Sequence, residues 1–209
     1  MTRTEDEETR ELFAPLARVG GADTRTLARL HSRLEQAAQR DGILDVAFDL
    51  RDTPVGTLLL AATDAGLVRV AYAGDDPDGI LATLAATVSP RILRAPQRLE
   101  EAARQIDEYF AGTRTRFDLA LDFRLSHGFR RAVLGHLAGI GYGHTESYAQ
   151  VAQAVGNPKA VRAVGSACAT NPLPVVVPCH RVVRSDGAFG GYVGGPEAKR
   201  TLLTLESAA

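Results

Sequence analysis

Residues 147–181 read SYAQVAQAVGNPKAVRAVGSACATNPLPVVVPCHR, and the architecture of the chain turns on this stretch. Residues from Ser147 to Val155 keep helical spacing, Gly156 ends that helix, and Asn157-Pro158 supplies an N-cap and a proline at the first helical position of the next. Helix, tight turn, helix is the outline of a DNA-reading motif. The second helix is built from Ala160, Ala163, Gly165, Ser166 and Ala167, with cations only at Lys159 and Arg162. Such a small-residue surface lets backbone press into a narrow groove where long side chains would not fit. The same residues equally suit close packing against a neighbouring helix.

Beyond this pair, three prolines and a β-branched run stiffen the backbone from Asn171 to Cys179 and predict a rigid, largely apolar strand. Burial there raises a thiol's pKa and makes it inert, so reactivity needs a local base or positive field. His180 and Arg181 stand next to Cys179. A histidine activates a thiol, directly or through water, when a third group orients the ring and stabilises the imidazolium. Glu206, near the end of a helix predicted over 197–206, is the candidate for that group. The competing reading is a buried cysteine beside an exposed histidine. Cys179 and Arg184 enclose too few residues to wrap a phosphate as a thiol phosphatase does, and Cys168, eleven positions back, is not at redox spacing. Downstream, 184–187 reads as a turn and 188–195 as a glycine-rich loop carrying Phe189 and Tyr192, able to close on a planar ligand. Lys199 opens the last helix, whose Leu202, Leu203 and Leu205 read as core.

Upstream, residues 5–18 and 24–40 predict two helices, with Leu12 and Leu16, then Leu27, Leu30 and Leu34, at helical spacing and Gly20-Gly21 between them. Residues 1–44 therefore read as a helical N-terminal extension. From Val46 the period changes to two: Val46, Phe48 and Leu50 alternate, and two apolar runs flank Asp64-Ala-Gly66 as a hairpin. Helices are predicted over 79–88 and 96–110, the second with Leu99, Ala102, Ala103, Ile106 and Phe110 on one face. Residues 45–123 thus form an α/β domain built on a small sheet, with no catalytic cluster evident, and 124–209 a mainly helical one.

The chain has 209 residues and is 45% hydrophobic, enough for a sizeable core, which excludes wholesale disorder. Its longest apolar runs, such as Leu58 to Thr63 and Leu173 to Val177, fall far short of the roughly 18 residues of a membrane span. The first residues lack the apolar core of a secretory signal and are too acidic for a transit peptide, so a cytoplasmic protein is expected. Two cysteines cannot build a disulfide framework or a structural zinc site, and no metal is expected. Residues 119–209 hold nine Lys/Arg against five Asp/Glu, whereas 45–118 hold eight against twelve. Four of the five histidines also lie in that basic final third. The imbalance points to an anionic partner, nucleic acid first, although charge alone also describes a solvated face.

Pro178-Cys-His-Arg181, preceded by Asn157-Pro-Lys-Ala-Val-Arg-Ala-Val-Gly165 and Asn171-Pro172 and followed by Gly191-Tyr-Val-Gly-Gly195 and Leu202-Leu-Thr-Leu-Glu206, resembles the methylated-DNA–protein-cysteine methyltransferases. The resemblance spans about residues 45–206 and is dense from Phe129 to Glu206. It implies a ribonuclease-H-like α/β N-terminal domain and a winged-helix-like C-terminal domain containing the helix-turn-helix. It further implies single-turnover repair of O6-alkylguanine, and of O4-alkylthymine, in duplex DNA after the nucleotide is flipped out through the minor groove. Cys179 would be the acceptor, activated through water by His180 and Glu206, with Asn171 bracing the turn that holds this relay. Tyr148 would push the target phosphate and donate to the base, Lys199 would support Tyr148, and Arg162 would fill the vacated stack. Lys159, Ala160 and Ala163 would lie on the DNA side. Tyr192, Val193 and Gly194 would wall the guanine pocket, the Val193 N–H facing O6, while the carbonyls of Cys179 and Val182 accept from the exocyclic amine.

A thioether is a poor methyl donor, so each molecule would act once. The damaged base is itself the donor, which implies no cofactor. The implied partner is double-stranded DNA carrying alkylated bases, with no membrane; the protein would be monomeric in solution, with cooperative assembly on DNA left open. Residues 1–44 have no counterpart in the family pattern and no cysteine, so they are not the phosphotriester-repair domain of some relatives. Segment 45–118 has neither Cys nor His, which speaks against a zinc site there. Cys168 is either a second acceptor or a packed small side chain. A non-catalytic damage-binding module is argued against by Cys179, and a thiol hydrolase would need an oxyanion site that nothing in the sequence predicts.

Overall fold

Alternation in the Val46 region and the turn at Asp64-Ala-Gly66 build an antiparallel meander, β1 (Val46–Arg51), β2 (Leu58–Thr63) and β3 (Gly66–Tyr72). The structure is a computed structural model and describes residues 23–74 and 76–207. Helix α1 (Thr24–Arg40), capped by Asp23, belongs to a unit that ends at Ile43, and Leu27, Leu30 and Leu34 on it are exposed. The helix expected over 5–18, with Leu12, Leu16 and the Gly20-Gly21 break, lies outside the described residues. From Leu44 onward the chain forms one compact unit.

Within that unit, α2 (Pro77–Thr87) starts on Asp76, whose carboxylate accepts from the Gly79 N–H, and carries Pro77 in its first turn, where no N–H is missed. It returns the chain to β4 (Ile92–Arg94), parallel to β1, giving the order β3-β2-β1-β4. Every residue of β2 is buried, so the strand serves two cores at once. Leu59 and Ala61 pack with Val46, Val68 and Leu84 on the α2 side, while Leu58, Leu60 and Ala62 join Ile106, Tyr109 and the helical half.

The single helix expected from Pro96 is instead a 3-10 turn (Pro96–Leu99) followed by α3 (Glu100–Phe110). The buried stripe of α3 runs through Ala102, Gln105, Ile106 and Tyr109, so Tyr109 takes the core position expected for Phe110, which is half-buried. This follows from the stripe that Ala102 and Ile106 set at intervals of three and four.

The helical half contains α4 (Gly128–Leu137), α5 (Tyr148–Ala154), α6 (Val161–Ala169) and α7 (Gly195–Ser207). A parallel two-stranded ribbon, β5 (Glu146–Ser147) with β6 (Val182–Val183), joins the start of α5 to the chain after His180. Ser147 and Gln150 form a reciprocal capping box at the start of α5. The second helix of the pair begins later than expected. Asn157 and Pro158 lie in a turn closed by Ala160 N–H to Asn157 O at 2.9 Å, and Val164 N–H then makes the first helical bond to Ala160 O at 3.0 Å. Lys159 and Ala160 therefore precede α6.

The outer edge of β3 meets the rest of the chain. Leu67 exchanges backbone bonds with Ala120 and Asp122, both 2.8 Å, and Val70 N–H donates to Pro172 O at 2.8 Å. Gly66 is what permits the first contact: its φ is +132°, and a Cβ there would sit 2.3 Å from Ala120 O. Gly66→Ala is expected to cost about 1–3 kcal/mol of stability, read from urea unfolding; an unchanged midpoint would mean this edge contact contributes nothing.

Candidate active site

No strand leads to Cys179. Prolines at 172, 174 and 178 remove the donors a ladder needs, and residues 171–178 fold into successive turns, one closed by Val177 N–H to Leu173 O at 2.7 Å. Asn171 organises them: its Oδ1 accepts from Leu173 N–H at 2.9 Å, and its Nδ2 donates to Val177 O at 2.8 Å and to Cys179 Sγ at 3.2 Å. Within this segment Val175 is held at φ +72°, a left-handed conformation that a β-branched side chain normally avoids.

Cys179, His180 and Arg181 form a buried 3-10 turn. His180 is fully buried, so the alternative of an exposed histidine falls away. Its Nε2 lies 2.8 Å from Glu206 Oε1, and its Nδ1 has no hydrogen-bond partner among the described residues. Glu206, in the last turn of α7, also receives Tyr109 Oη at 2.7 Å, Arg181 Nε at 2.9 Å on Oε2, Arg181 Nη2 at 2.8 Å on Oε1, and the Gly143 N–H at 3.2 Å. Arg181 donates as well to Ile140 O and lies over the Tyr142 ring, 5.8 Å from its centroid.

The electrostatics separate these groups. Burial alone would raise the Glu206 carboxyl, but hydrogen bonds from His180, Arg181 and Tyr109 and the His180 charge outweigh it and hold it at about 2. Burial lowers His180, partly opposed by Glu206. Burial pushes the Cys179 thiol up to about 11 against the lowering effect of the Asn171 hydrogen bond and the Lys199 charge. Cys168, buried on α6, is raised to about 12, first by burial and then by Cys179. Lys199 is fully buried; its Nζ donates to Val182 O at 2.6 Å, and burial lowers its pKa.

Two glycines fix the 188–195 loop. A Cβ on Gly190 would meet the Tyr148 hydroxyl at 2.2 Å, and one on Gly194 would meet the Tyr72 ring at 2.2 Å, so the loop backbone lies flat on both rings. Tyr192 sits between them: its hydroxyl accepts from Tyr72 Oη at 3.0 Å, and its ring meets His180 edge-on at 6.2 Å. Val193 is exposed and Gly194 half-buried. On the helix pair, Lys159, Arg162, Ala163 and Ser166 face solvent, whereas Val164, Ala167 and Cys168 face the core and Gly165 approaches the Tyr148 ring. The small residues of α6 thus divide: some pack inward and some form an open face.

The structure forms two hydrogen-bonded pairs, Asn171 with Cys179 and His180 with Glu206, which the Cys179–His180 peptide brings side by side, and Tyr148, Lys199, Val182 and Tyr192 lie around them. Arg162, Lys159, Ala160 and Ala163 stand apart on the helix pair. Sequence reasoning missed Tyr72 and Tyr109, both from the half that showed no catalytic cluster, and left Arg181 without its carboxylate partner. Tyr109 was signalled only by the buried stripe of α3; nothing local marks Tyr72. Among the described residues no three His, Cys, Asp or Glu side chains converge as metal ligands.

The depressed Glu206 carboxyl sets an acid limit. The unfolded chain takes up that proton near the ordinary value of 4.5, so the stability Glu206 contributes is complete above about 4.5 and is lost as the pH falls towards 2. His180, also lowered, acts in the same direction below its ordinary 6.5. Glu206→Gln should cost about 3–5 kcal/mol at pH 7 by stranding Arg181 and should flatten the acid part of a urea-unfolding profile; a variant as acid-sensitive as the parent would show the carboxyl is not the titrating group.

Residues 46–123 match the ribonuclease-like domain of 6-O-methylguanine DNA methyltransferase, and residues 128–208 match its DNA binding domain. The methylated-DNA–protein-cysteine methyltransferase of Mycolicibacterium paratuberculosis is 41% identical over 155 residues, 74% of this chain and 88% of that protein. The constitutive enzyme of that name from Bacillus subtilis is 40% identical over 156 residues, covering 74% and 92%. The crystal structure of Mycobacterium tuberculosis OGT in complex with DNA is similar with a TM-score of 0.68 at 36% identity, covering 78% of this chain and 93% of that one.

Proposed function

The chain belongs to the methylated-DNA–protein-cysteine methyltransferase family, and we propose that it repairs duplex DNA by moving the alkyl group of an O6-alkylated guanine irreversibly onto Cys179. The observation that carries the assignment of residues is the buried histidine next to that thiol: one ring nitrogen is fixed on a carboxylate and the other, Nδ1, has no partner among the described residues. A buried polar atom of this kind is normally completed by water, and a water between Nδ1 and Sγ would join Cys179, His180 and Glu206 into one proton path.

The path has a direction. The Sγ proton passes through water to His180, whose positive charge is stabilised by Glu206. The thiolate attacks the alkyl carbon, the S–C bond forms, the C–O6 bond breaks with its electron pair on O6, and the guanine takes up a proton to regain its keto form. Thioether formation leaves no leaving group at neutral pH, so each chain acts once. The same displacement applies to an alkyl group on O4 of thymine. The damaged base supplies the alkyl group, and the residues named need no cofactor for this displacement.

Inside a base pair O6 is out of reach, so the nucleotide must leave the stack. The open face of α6 suits the minor groove: Ala163 allows close approach, Lys159 and Ala160 lie at the entry turn beside the phosphates, and exposed Arg162 can fill the space the base vacates. Tyr148, packed beneath Gly190, would push the target phosphate and donate to the flipped base. Tyr192, Val193 and Gly194 wall the guanine pocket, the Val193 N–H facing O6, and the carbonyls of Cys179 and Val182 accept from the exocyclic amine. Lys199 donates to the second of these carbonyls, and its charge favours the thiolate; it would also support Tyr148. One chain carries the whole set, which fits action as a monomer, and a DNA substrate fits a cytoplasmic protein. No helix among the described residues is long and apolar enough to cross a membrane.

Two measurements test this reading. After mixing with duplex DNA carrying one O6-methylguanine, peptide mass spectrometry should find one methylene on the Cys179 peptide, saturating at one per chain, with none in Cys179→Ala despite retained DNA binding; label on Cys168 would overturn the choice of acceptor. Arg162→Ala should slow repair in duplex at least about tenfold while changing transfer from the free base less than about twofold, and equal losses would remove Arg162 from the flipping step.

A further inference from the structure

We propose that Tyr72, at the end of β3 in the α/β half, is a positioning residue that fixes the base-pocket loop at a set distance from Cys179. The inference rests on the function proposed above, and it assigns to the sheet a part in the reaction. Tyr72 Oη donates to Tyr192 Oη at 3.0 Å, and the two rings meet edge to face at 5.9 Å and 82°. The Gly194 backbone lies against the same ring, so close that a Cβ would fall 2.2 to 2.6 Å from its Cζ and Cε atoms. Two residues earlier on the strand, Val70 N–H donates to Pro172 O, and the neighbouring Asn171 holds Cys179 Sγ. One strand edge therefore touches both the turn that carries the nucleophile and the loop that would carry the base.

A strand is a suitable spacer because its geometry is fixed by pairing. β2 pins both positions, Leu60 opposite Val70 and Leu58 opposite Tyr72, and all of β2 is buried. Residues two apart on a strand are separated by about 6.6 Å and project to the same face. A glycine-rich loop has no such rigidity of its own, and its position over His180 depends on what it is fastened to. The Tyr72 hydroxyl, raised to about 12 mainly by burial, keeps its proton across the working range and remains a donor to Tyr192.

The experiment compares wild type, Tyr72→Phe, Tyr192→Phe and the double variant as full chains in three assays: transfer from a duplex carrying one O6-methylguanine, duplex binding, and methylation of Cys179 by methyl iodide, which needs the thiol but no base pocket. Each single variant should transfer about fivefold more slowly, the weight of one neutral hydrogen bond, and Tyr72→Phe should leave duplex binding and methyl iodide reactivity unchanged. The double variant should be no slower than either single one. Additive losses, no loss, or an equal loss against methyl iodide would overturn the proposal. As a second route, Gly194→Ala should slow transfer in wild type, because its Cβ meets the Tyr72 ring, but cause no further loss in a Tyr72→Ala background; a loss persisting there would also overturn it. Failure of the wild type to take up a methyl group would instead defeat the functional reading.

Discussion

The buried carboxylate of Glu206 is the interaction on which the rest of the site depends. It receives hydrogen bonds from His180, Arg181, Tyr109 and the Gly143 backbone, and so joins α7, the Cys179–Arg181 turn, α3 and the loop after α4. A buried charge without partners would be strongly destabilising, whereas one with this many donors is held in its ionised form. The consequence reaches beyond His180. Because Arg181 and His180 are adjacent in a tight turn, fixing both side chains on one carboxylate fixes the backbone between them, and with it the orientation of Cys179.

Asn171 holds the same turn from the other side. Its amide bonds to Val177 O and to Sγ, which keeps the turns before Cys179 closed while Val175 sits at a backbone angle it would not choose alone. Strain of that kind persists only where the surroundings over-determine it. Here the surroundings include the sheet, since Pro172 accepts from Val70. The α/β half is thus part of the device that holds the nucleophile, and the core from Leu58 to Leu202 runs through both halves without a break.

What was legible in the sequence follows from where each signal lives. Hairpin chemistry at Asp64-Ala-Gly66 and the helical spacing from Ser147 to Val155 are local, and the corresponding elements formed. No strand forms before Cys179 because the three N–H donors missing at Pro172, Pro174 and Pro178 outweigh β-branched propensity. The start of α6 was misplaced because Asn-Pro opens a turn as readily as a helix. Tyr72, Tyr109 and the Arg181–Glu206 pair were invisible because each contact joins residues from 25 to 120 positions apart. The motifs behind the resemblance run from Asn157 to Glu206 and carry no information about a tyrosine reaching in from β3.

The thiol itself presents an apparent contradiction: burial pushes the pKa of the proposed nucleophile up to about 11, so it rests protonated at pH 7. For an enzyme that turns over, a resting thiolate would be an advantage. In a protein consumed by a single reaction, every encounter with a stray electrophile or oxidant is a permanent loss, and a buried neutral thiol resists both. In the proposed mechanism the reactive form is needed only while a base occupies the pocket, when the proton would pass to His180; Lys199 and Asn171 already favour the charged thiolate. On the proposed function, burial of Cys179 and the proposed relay behind it are complementary parts of one arrangement, the first suppressing reaction in general and the second permitting it once a substrate base is in place.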